Sequence, residues 1–425
     1  MNRTKAAFVY GFAVFAAFFG AGNLILPPYL GFQSGADWWL STLGFLITAT
    51  IIPLAALLGH ARLQGTMMDF GNKVSHRFSL VLCVLIYVIA IALACPRTAA
   101  VTHEMAVAPF IDSSRLLTST IYFCLAMAFS LYRGKVMDLV GKYLTPVIGL
   151  LLLFLIGLRF LSDPPAGIDG NYTNPLISGF LEGYQTYDAL AGLLMGGILV
   201  ISIQNSQKEH SYEQKRKTIT GASVIAMAGL FLIYAGLIYS GSTLGASADP
   251  DINRTGLLML LADSSMGSHA ASLLGLLVAL ACFTTAVSLL VGAGDFFKGL
   301  LGDSEKVYRI TVIICGLLGI LIGQWGVSHI ISVAVPVLML IYPVVICLIL
   351  LNVLPERLAP GPVFRSVVVV AVLFSIPDFV EAAVPGSIPE SIHDVLPFSK
   401  EGLGWLLPSL MTFLAVAAYF RFRRD

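Results

Sequence analysis

Charged residues are scarce in this chain of 425 residues: aspartate, glutamate, lysine and arginine together make up only 12%. A soluble domain carries about 25%, so the composition excludes an ordinary water-soluble globular protein. The 25 basic and 24 acidic residues nearly cancel. No basic cluster or aromatic–basic interleaving occurs, and we therefore expect no nucleic-acid partner.

Cysteine and histidine patterns are also missing. All six cysteines fall within or at the ends of apolar segments, none forms CxxC, and this is typical of small core residues rather than of a disulfide framework. The seven histidines show neither HExxH nor a His–Cys metal spacing. We therefore expect no cofactor. No small-residue cleavage site follows the first apolar run, which favours a retained helix over a signal peptide.

Apolar runs long enough to cross a bilayer recur along the whole chain, in which 57% of the residues are hydrophobic. The sequence therefore predicts an all-α polytopic membrane protein with 12 transmembrane helices in contact with the lipid bilayer. The predicted spans are 6–33, 39–59, 78–98, 115–132, 138–160, 177–203, 218–243, 269–294, 308–325, 328–353, 363–380 and 402–420. The sequence carries no signal for oligomeric state.

Lysine and arginine predict the orientation. Loops on the N-terminal side hold 19 of the 25 basic residues and loops on the other side hold 5, Arg97 and Arg254 among them; Lys142 lies inside the fifth span. Because basic residues concentrate on the cytoplasmic side, this split predicts that both termini are cytoplasmic and that the number of spans is even. The longest loops, near 244–268 and 381–401, are then both external.

The first span is too long and too irregular for a plain membrane helix. About 28 residues stand where ~20 would suffice, and they include FFGAGNLILPP at 18–28. Glycine leaves helical angles at little cost, and backbone groups freed in lipid persist only around a ligand, an ion or protein. We predict a break here, with Pro27 and Pro28 near the first turn of the resumed helix. The alternative is a glycine kink that serves helix packing only.

Such a break offers two kinds of binding group. N–H groups at the start of the outer half-helix point at an anion, aided by the helix dipole. Carbonyl groups at the end of the inner half-helix point at a cation. One break can therefore hold a carboxylate and a sodium ion together.

The sixth span repeats this pattern in GFLEGYQTYDAL at 179–190, which places Glu182 and Asp188 at membrane depth on either side of Gly183. Ionisable residues at that depth are costly and usually functional. Glu182 lies about five residues into the span, so a solvated helix end is the alternative for it. Two interrupted helices five spans apart predict inverted five-helix repeats over 1–160 and 161–353, with two further helices in 354–425.

The eighth span contains ALACFTTAVSLL at 279–290. Ala281, Thr284 and Thr285 have the spacing i, i+3, i+4 and share one helix face. A carbonyl and two hydroxyls are hard oxygen donors that suit an alkali cation. The alternative is that each threonine hydroxyl bonds only to the preceding turn of its own helix.

Several stretches together resemble a known family. They are FFGAGNLILPPYLG, CPRTAAVTHE (95–104), GFLEGYQTYDALAG (179–192), ACFTTA (281–286) and ISVAVPVLMLIYP (331–343). They resemble the bacterial branched-chain amino acid:cation symporters, the BrnQ or LIVCS family, and the likeness runs from the first span through the tenth and beyond. The resemblance implies a LeuT-type fold of inverted five-helix repeats, and uptake of leucine, isoleucine and valine with Na+ or with H+.

The resemblance also implies roles for individual residues. The N–H groups of Ala21 and Gly22 would hold the substrate carboxylate, and Asp188 would meet either the substrate ammonium group or a cation. Asn23 would assist a second cation or the hinge. The candidate substrate-binding residues are Ala21, Gly22, Asn23, Glu182, Gly183, Tyr184, Thr186 and Asp188. A sodium site between helices 1 and 8 would be formed by the carbonyls of Ala16, Phe19 and Ala281 and the hydroxyls of Thr284 and Thr285.

The mechanism that the resemblance implies is symport by alternating access across the bacterial cytoplasmic (inner) membrane. Na+ would stabilise an outward-open state, and the amino acid would then bind across both breaks. Its aliphatic side chain would enter an apolar pocket built by helices 3, 6, 8 and 10, and helices 1, 2, 6 and 7 would rock against the remainder. An apolar pocket separates substrates that differ by one methylene by only ~1–3 kcal/mol, so leucine, isoleucine and valine should share the site.

Three other functions are alternatives. Tyr187-Asp188 and GAGD at 292–295 match the YD and GxGD pattern of intramembrane aspartyl proteases, whose two carboxylates share a proton. Asp188 and Asp295, however, are predicted to differ in depth by roughly 20 Å. A channel would need a polar stripe or a charged ring, and neither is found in the sequence. A transporter of another amino acid or amine with the same fold is the nearest alternative.

Overall fold

The protein is described by a computed structural model over residues 3–132, 136–161, 170–206, 211–245, 248–249 and 251–422. Within these ranges the regular structure is helical and no strand occurs. The α-helices are α1 (Arg3–Phe18), α2 (Ala21–Ser34), α3 (Trp38–Leu46), α4 (Ile52–Leu63), α5 (Met67–Gly71), α6 (His76–Ile89), α7 (Cys95–Thr102), α8 (Arg115–Tyr132), α9 (Val136–Leu161), α10 (Pro175–Glu182), α11 (Asp188–Ser206), α12 (Tyr212–Ser242), α13 (Arg254–Met266), α14 (Ser268–Leu300), α15 (Glu305–Gly323), α16 (Val327–Val353), α17 (Gly361–Ala383), α18 (Glu390–Val395) and α19 (Leu406–Phe422). Turns of π-helix at Ile47–Ile51, Ala90–Ala94 and His103–Val107, and 3₁₀-helices at Gly35–Asp37 and Gly183–Thr186, complete them.

The all-helical membrane fold is confirmed. Helix occupies each predicted span, and in the described part of the chain ten helical stretches are long and apolar enough to cross a membrane. The count of twelve crossings stays a prediction, because α1 and α19 are shorter apolar helices and Gly22–Leu63 is one uninterrupted stretch over parts of two predicted spans.

Large apolar side chains cover the outside of the bundle. Leu150, Phe154, Leu321, Leu373 and Leu414 are all exposed. In water such a surface would drive association, whereas in a bilayer it meets lipid chains of the same polarity.

The buried side chains form two clusters. The first cluster includes Leu24 of α2, Tyr234 of α12 and Leu274 of α14. The second includes Leu190 of α11 and Tyr342 of α16. The sixth predicted span contributes to both clusters, with Leu190 in the second and Leu199 in the first, and it therefore joins the two cores.

Glycines allow α2 to cross α12 with backbone against backbone. A Cβ on Gly31 would overlap the carbonyl oxygen of Ile238, and a Cβ on Gly241 would overlap the carbonyl oxygen of Pro28. Small residues permit this close approach in membrane proteins, where dispersion contacts drive helix association.

The crossing of α10 with α3 is built in the same way. A Cβ on Gly44 would overlap the carbonyl oxygen of Leu176, and a Cβ on Gly179 would overlap that of Ser41. Span 1 thus packs on span 7 as span 6 packs on span 2. Inverted repeats predict this correspondence, although the proposed repeat boundaries at 160 and 353 stay a prediction.

Two expectations about chain segments are wrong. The third span does not end near residue 98: helix continues over His76–Val107 through two π-helical turns. Arg97, assigned to an outer loop, is therefore inside a helix and buried, and four basic residues remain in the outer set. The segment 244–268 is not only a loop, because it contains α13, whose Leu257, Leu258 and Leu261 are buried. Polar residues mark a span end only where they face water, and here protein surrounds them.

Gly241→Ala tests the close crossing of α2 and α12. The added methyl group would press on the Pro28 carbonyl, and overpacking of this kind costs about 1–3 kcal/mol. We expect a lower thermal unfolding midpoint in detergent. Gly149→Ala in α9 is the matched control, because a Cβ there meets nothing within 4 Å and alanine favours helix. Equal shifts in the two variants would contradict the close crossing.

Candidate functional site

The first membrane helix breaks between α1 and α2. Gly20 is extended, with φ −106° and ψ −179°, and α2 begins at the next residue. The predicted break is therefore present. The prediction that Pro27 and Pro28 lie in the first turn of the resumed half is wrong, because both lie well inside α2. The helix instead breaks at Gly20, the first residue of the Gly20-Ala21-Gly22 sequence, and α2 begins directly after it.

The break removes the helical donors of two carbonyl groups. A continuous helix would have Gly20 N–H donate to Ala16 O and Asn23 N–H donate to Phe19 O. Instead, Gly20 N–H donates to Phe18 O at 2.9 Å and Asn23 N–H donates to Gly20 O at 3.2 Å. Ala16 O and Phe19 O, two of the candidate sodium ligands, thereby lose their usual partners.

The other candidate sodium ligands lie on α14, which faces this break. A Cβ on Gly20 would lie 3.6 Å from Thr285 Oγ1. The hydroxyls of Thr284 and Thr285 both donate to Ala281 O at 2.9 Å, so the local hydrogen bonds considered as the alternative are present. A hydroxyl that donates one hydrogen bond keeps its oxygen lone pairs. Both threonine oxygens can therefore still act as ligands.

The second break lies between α10 and α11. A 3₁₀-helix at Gly183–Thr186 follows α10, and Tyr187 then adopts a left-handed conformation with φ 62°. The Thr186 hydroxyl donates to Gly183 O at 2.8 Å and accepts from Asp188 N–H at 3.1 Å. Thr186 thus caps the start of α11. A left-handed tyrosine costs about 1–2 kcal/mol, and such strain clusters at functional sites.

A buried polar network joins the two breaks. The Asn23 side-chain nitrogen lies 2.8 Å from Phe18 O and donates to both oxygens of Asp188, at 2.9 and 3.0 Å. Tyr234 of α12 donates to Asp188 Oδ2 at 2.8 Å and also bonds to Asn23. Asp188 is 2% exposed, and its position at the start of α11 is favourable for a negative charge. Two predicted site residues from distant spans are therefore in direct contact.

Gly183 and Tyr184 pack against neighbouring helices. A Cβ on Gly183 would overlap the hydroxyl of Thr48 in a π-helical turn. The ring of buried Tyr184 stacks on that of Tyr342, with 4.2 Å between centroids. Both residues fix the wall of the second break against α16 and the second predicted span.

Glu182 has a partner within the protein. Its Oε1 accepts from Arg254 Nη2 at 2.9 Å and from Nε at 3.1 Å, and the guanidinium lies 4.4 Å from the ring centroid of Tyr29. Burial alone would lower the pKa of Arg254, but the Glu182 carboxylate outweighs it and the pKa lies above its ordinary value. The ion pair ties the end of α10 to the start of α13.

Arg97 lies at these breaks although it is not among the site residues predicted from the sequence. It is 4% exposed, and its Nη1 donates to Gln185 O at 2.8 Å. A Cβ on Gly22 would overlap its Nη2. The sequence contains a signal for Arg97, because this residue lies in the CPRTAAVTHE stretch that carries the family resemblance. The predicted orientation, however, assigns Arg97 to an external loop. Tyr234 was missed as well, since a lone tyrosine in an apolar helix carries no local signal.

The carboxylates of the protease alternative have different surroundings. Asp188 is buried and bonds to Asn23 and Tyr234. Asp295 is exposed near the C-terminal end of α14. Nothing in this arrangement gives the two a shared proton.

Solved structures of transporters share this fold. The inward-facing conformation of Mhp1 matches with a TM-score of 0.61 at 13% identity and covers 97% of this chain and 91% of its own. MhsT in complex with L-phenylalanine matches with a TM-score of 0.52 at 17% identity and covers 97% and 98%. These likenesses confirm the LeuT-type fold with broken helices 1 and 6.

Sequence relatives cover nearly the whole chain. The branched-chain amino acid transport system 2 carrier protein of Pseudomonas aeruginosa is 36% identical over 96% of this chain and 94% of its own. The branched-chain amino acid permease BraB of Bacillus subtilis is 32% identical over 96% and 94%. These are transporters and permeases, so the chain is not an enzyme and the protease alternative is excluded. The family model described as branched-chain amino acid transport protein matches residues 3–423, and this multi-pass membrane protein belongs to that family.

Proposed function

We propose that this protein is a secondary active symporter that imports leucine, isoleucine and valine with Na+ by alternating access. The observation that carries the proposal is the contact between the two breaks through Asn23 and Asp188. It gathers freed backbone groups, a buried carboxylate and hydroxyl oxygens in one place within a membrane bundle. The names of the relatives supply the substrate class.

The substrate would bind across both breaks. Its carboxylate would meet the N–H groups of Ala21 and Gly22, which as the first residues of α2 have no helical acceptors. Its ammonium group would meet the Asp188 carboxylate, which Asn23 and Tyr234 hold in place. The aliphatic side chain would lie in an apolar pocket between helices 3, 6, 8 and 10.

Na+ would bind between the first break and α14. The freed carbonyls of Ala16 and Phe19 and the oxygens of Ala281, Thr284 and Thr285 would supply its ligands. Binding would link a mobile helix to the scaffold and favour the outward-open state. Loss of Na+ on the cytoplasmic side would then release the substrate.

The proposed location is the bacterial cytoplasmic membrane, with both termini in the cytoplasm. Because Arg97 is buried inside a helix, it no longer counts as an external residue. The predicted cytoplasmic side then has 19 basic residues and the external side has four, which is a stronger asymmetry. This is the asymmetry that the positive-inside rule describes.

Proton coupling is the second candidate. Asp188 favours it, because a buried carboxylate that contacts both breaks can carry a proton as well as face a cation. Another amino acid or amine as substrate would use the same groups.

Uptake of labelled leucine into proteoliposomes tests the proposal. An inward Na+ gradient should drive uptake, and isoleucine and valine should compete while lysine and glutamate should not. Replacement of Na+ by choline should abolish uptake. Uptake driven by an inward proton gradient alone would contradict sodium coupling, and absence of leucine uptake under every gradient would contradict the substrate assignment.

Thr284→Ala and Thr285→Ala test the sodium site. An oxygen bonded to a charged group contributes about 1.5–3 kcal/mol, and each 1.4 kcal/mol is tenfold. We expect each variant to raise the Na+ concentration for half-maximal uptake about tenfold or more. Ser288→Ala is the control, because its exposed hydroxyl lies one turn further along α14 and donates to Thr284 O. Wild-type Na+ dependence in both threonine variants would contradict the assignment.

Asp188→Asn tests the counter-charge for the ammonium group. The change keeps the side-chain shape and removes its charge, so we expect leucine affinity to fall about tenfold or more. Affinity is measured as the leucine concentration that half-maximally raises the unfolding midpoint. Asp263→Asn is the matched control, since this carboxylate is exposed on α13. An unchanged leucine response in Asp188→Asn would contradict the role of this charge.

A further inference from the structure

The guanidinium of Arg97 lies between the two breaks. On one side its Nη2 lies against Gly22 in the first turn of α2. On the other side its Nη1 donates to Gln185 O at 2.8 Å, and its central carbon lies 4.9 Å from the ring centroid of Tyr187. Arg97 therefore contacts both broken helices from a third, continuous helix.

The charge of Arg97 is not paired directly with any carboxylate of the described protein. Arg97 is 4% exposed, and none of the described carboxylates forms an ion pair with it. Arg254 is also largely buried, and it is paired with Glu182 at 2.9 Å. Taking a charge out of water is costly unless an opposite charge and hydrogen bonds compensate it. One backbone carbonyl and one ring do not supply that charge.

Neighbouring polar atoms point to a missing partner at the same place. Gln185 Oε1 and Tyr187 Oη are buried and without a hydrogen-bond partner among the described residues. Buried polar atoms are nearly always bonded in native structures. The Tyr187 hydroxyl can donate a hydrogen bond to a carboxylate held by Arg97, and Gln185 Oε1 is an acceptor that requires a donor such as an ammonium group.

We propose that Arg97 binds the carboxylate of the amino-acid substrate and is thereby a specificity-determining residue of this transporter. The inference rests on the proposed function and adds to it a cationic ligand from helix 3. Arginine suits a carboxylate because its planar donors match the two oxygens. Gly22, whose N–H is already assigned to that carboxylate, lies against the guanidinium.

The arrangement selects for a zwitterion. Arg97 contacts Gly22 and Gln185, while Asp188 contacts Asn23. A positive and a negative side chain thus lie against consecutive residues of the first break. An amine without a carboxylate leaves Arg97 uncompensated, and a carboxylic acid without an ammonium group leaves Asp188 uncompensated.

The absence of a side chain at residue 22 is part of this site. Any Cβ there would displace the guanidinium from the first turn of α2. The contact with Gln185 O also makes the position of Arg97 depend on the second break. A carboxylate bound to Arg97 would therefore connect helix 3 to both broken helices.

Competition binding to the purified full-length protein in Na+ tests the inference. Labelled leucine is displaced by leucine and by leucinamide, which keeps the ammonium group and side chain but lacks the carboxylate. In Arg97→Gln we expect leucine to bind about 10- to 100-fold more weakly, with leucinamide affinity changed less than about threefold. Arg97→Lys, which keeps the charge without the planar donors, should recover part of the preference for leucine. Arg115→Gln, at an exposed arginine of α8, is the control.

The result separates this inference from the proposed function. A selective loss of leucine over leucinamide in Arg97→Gln, with partial recovery in Arg97→Lys, supports Arg97 as the carboxylate ligand. An equal loss of both ligands, or no loss, in a folded variant overturns it while leucine transport stands. If Arg97→Gln does not fold, Arg97→Lys decides by the same ratio of affinities. Wild-type protein that binds no leucine would overturn the proposed function instead.

Discussion

The structure depends on one constraint: a membrane interior supplies no water to bond a freed backbone group. Each helix break exposes such groups, and each must be satisfied locally. Here Phe18 O takes the Asn23 side chain, Gln185 O takes Arg97, and the Thr186 hydroxyl caps α11. The side chains that satisfy the breaks are therefore the side chains that carry charge and polarity into the site. Stabilising the breaks and building a binding site are the same physical task.

Some polar groups at the breaks do not have their usual partners, and their chemistry indicates what could bind there. Ala16 O and Phe19 O lose their helical donors, and the guanidinium of Arg97 lacks a counter-ion among the described carboxylates. The two carbonyls favour a cation and the guanidinium favours an anion. A zwitterionic amino acid together with a sodium ion supplies both signs and adds one net positive charge to the site. The groups left over by the breaks thus match the proposed pair of transported species.

The breaks could be predicted from the sequence because their signals are local. Glycines within an apolar run and an aspartate at membrane depth mark them without knowledge of the fold. The features that could not be predicted depend on contacts between residues that are far apart in the sequence. Polar CPRTAAVTHE ends no helix because protein surrounds it, so Arg97 was placed outside. Glu182 pairs with Arg254, and Asp188 bonds to Tyr234, across separations of 72 and 46 residues. No periodicity in one sequence reports such pairs.

Any movement of the helices at this site must keep the freed backbone groups bonded, because the membrane interior offers them no water. The α2–α12 and α3–α10 crossings are too close to admit a Cβ at Gly31 or Gly44, so we expect each pair to stay together in any movement. Motion is therefore expected where side chains, rather than backbones, make the contact: between the breaks and the helices that carry Arg97 and Thr285. A substrate bound at Arg97 and an ion bound at Thr285 would act at these side-chain contacts. Binding there would couple both species to the proposed alternating access.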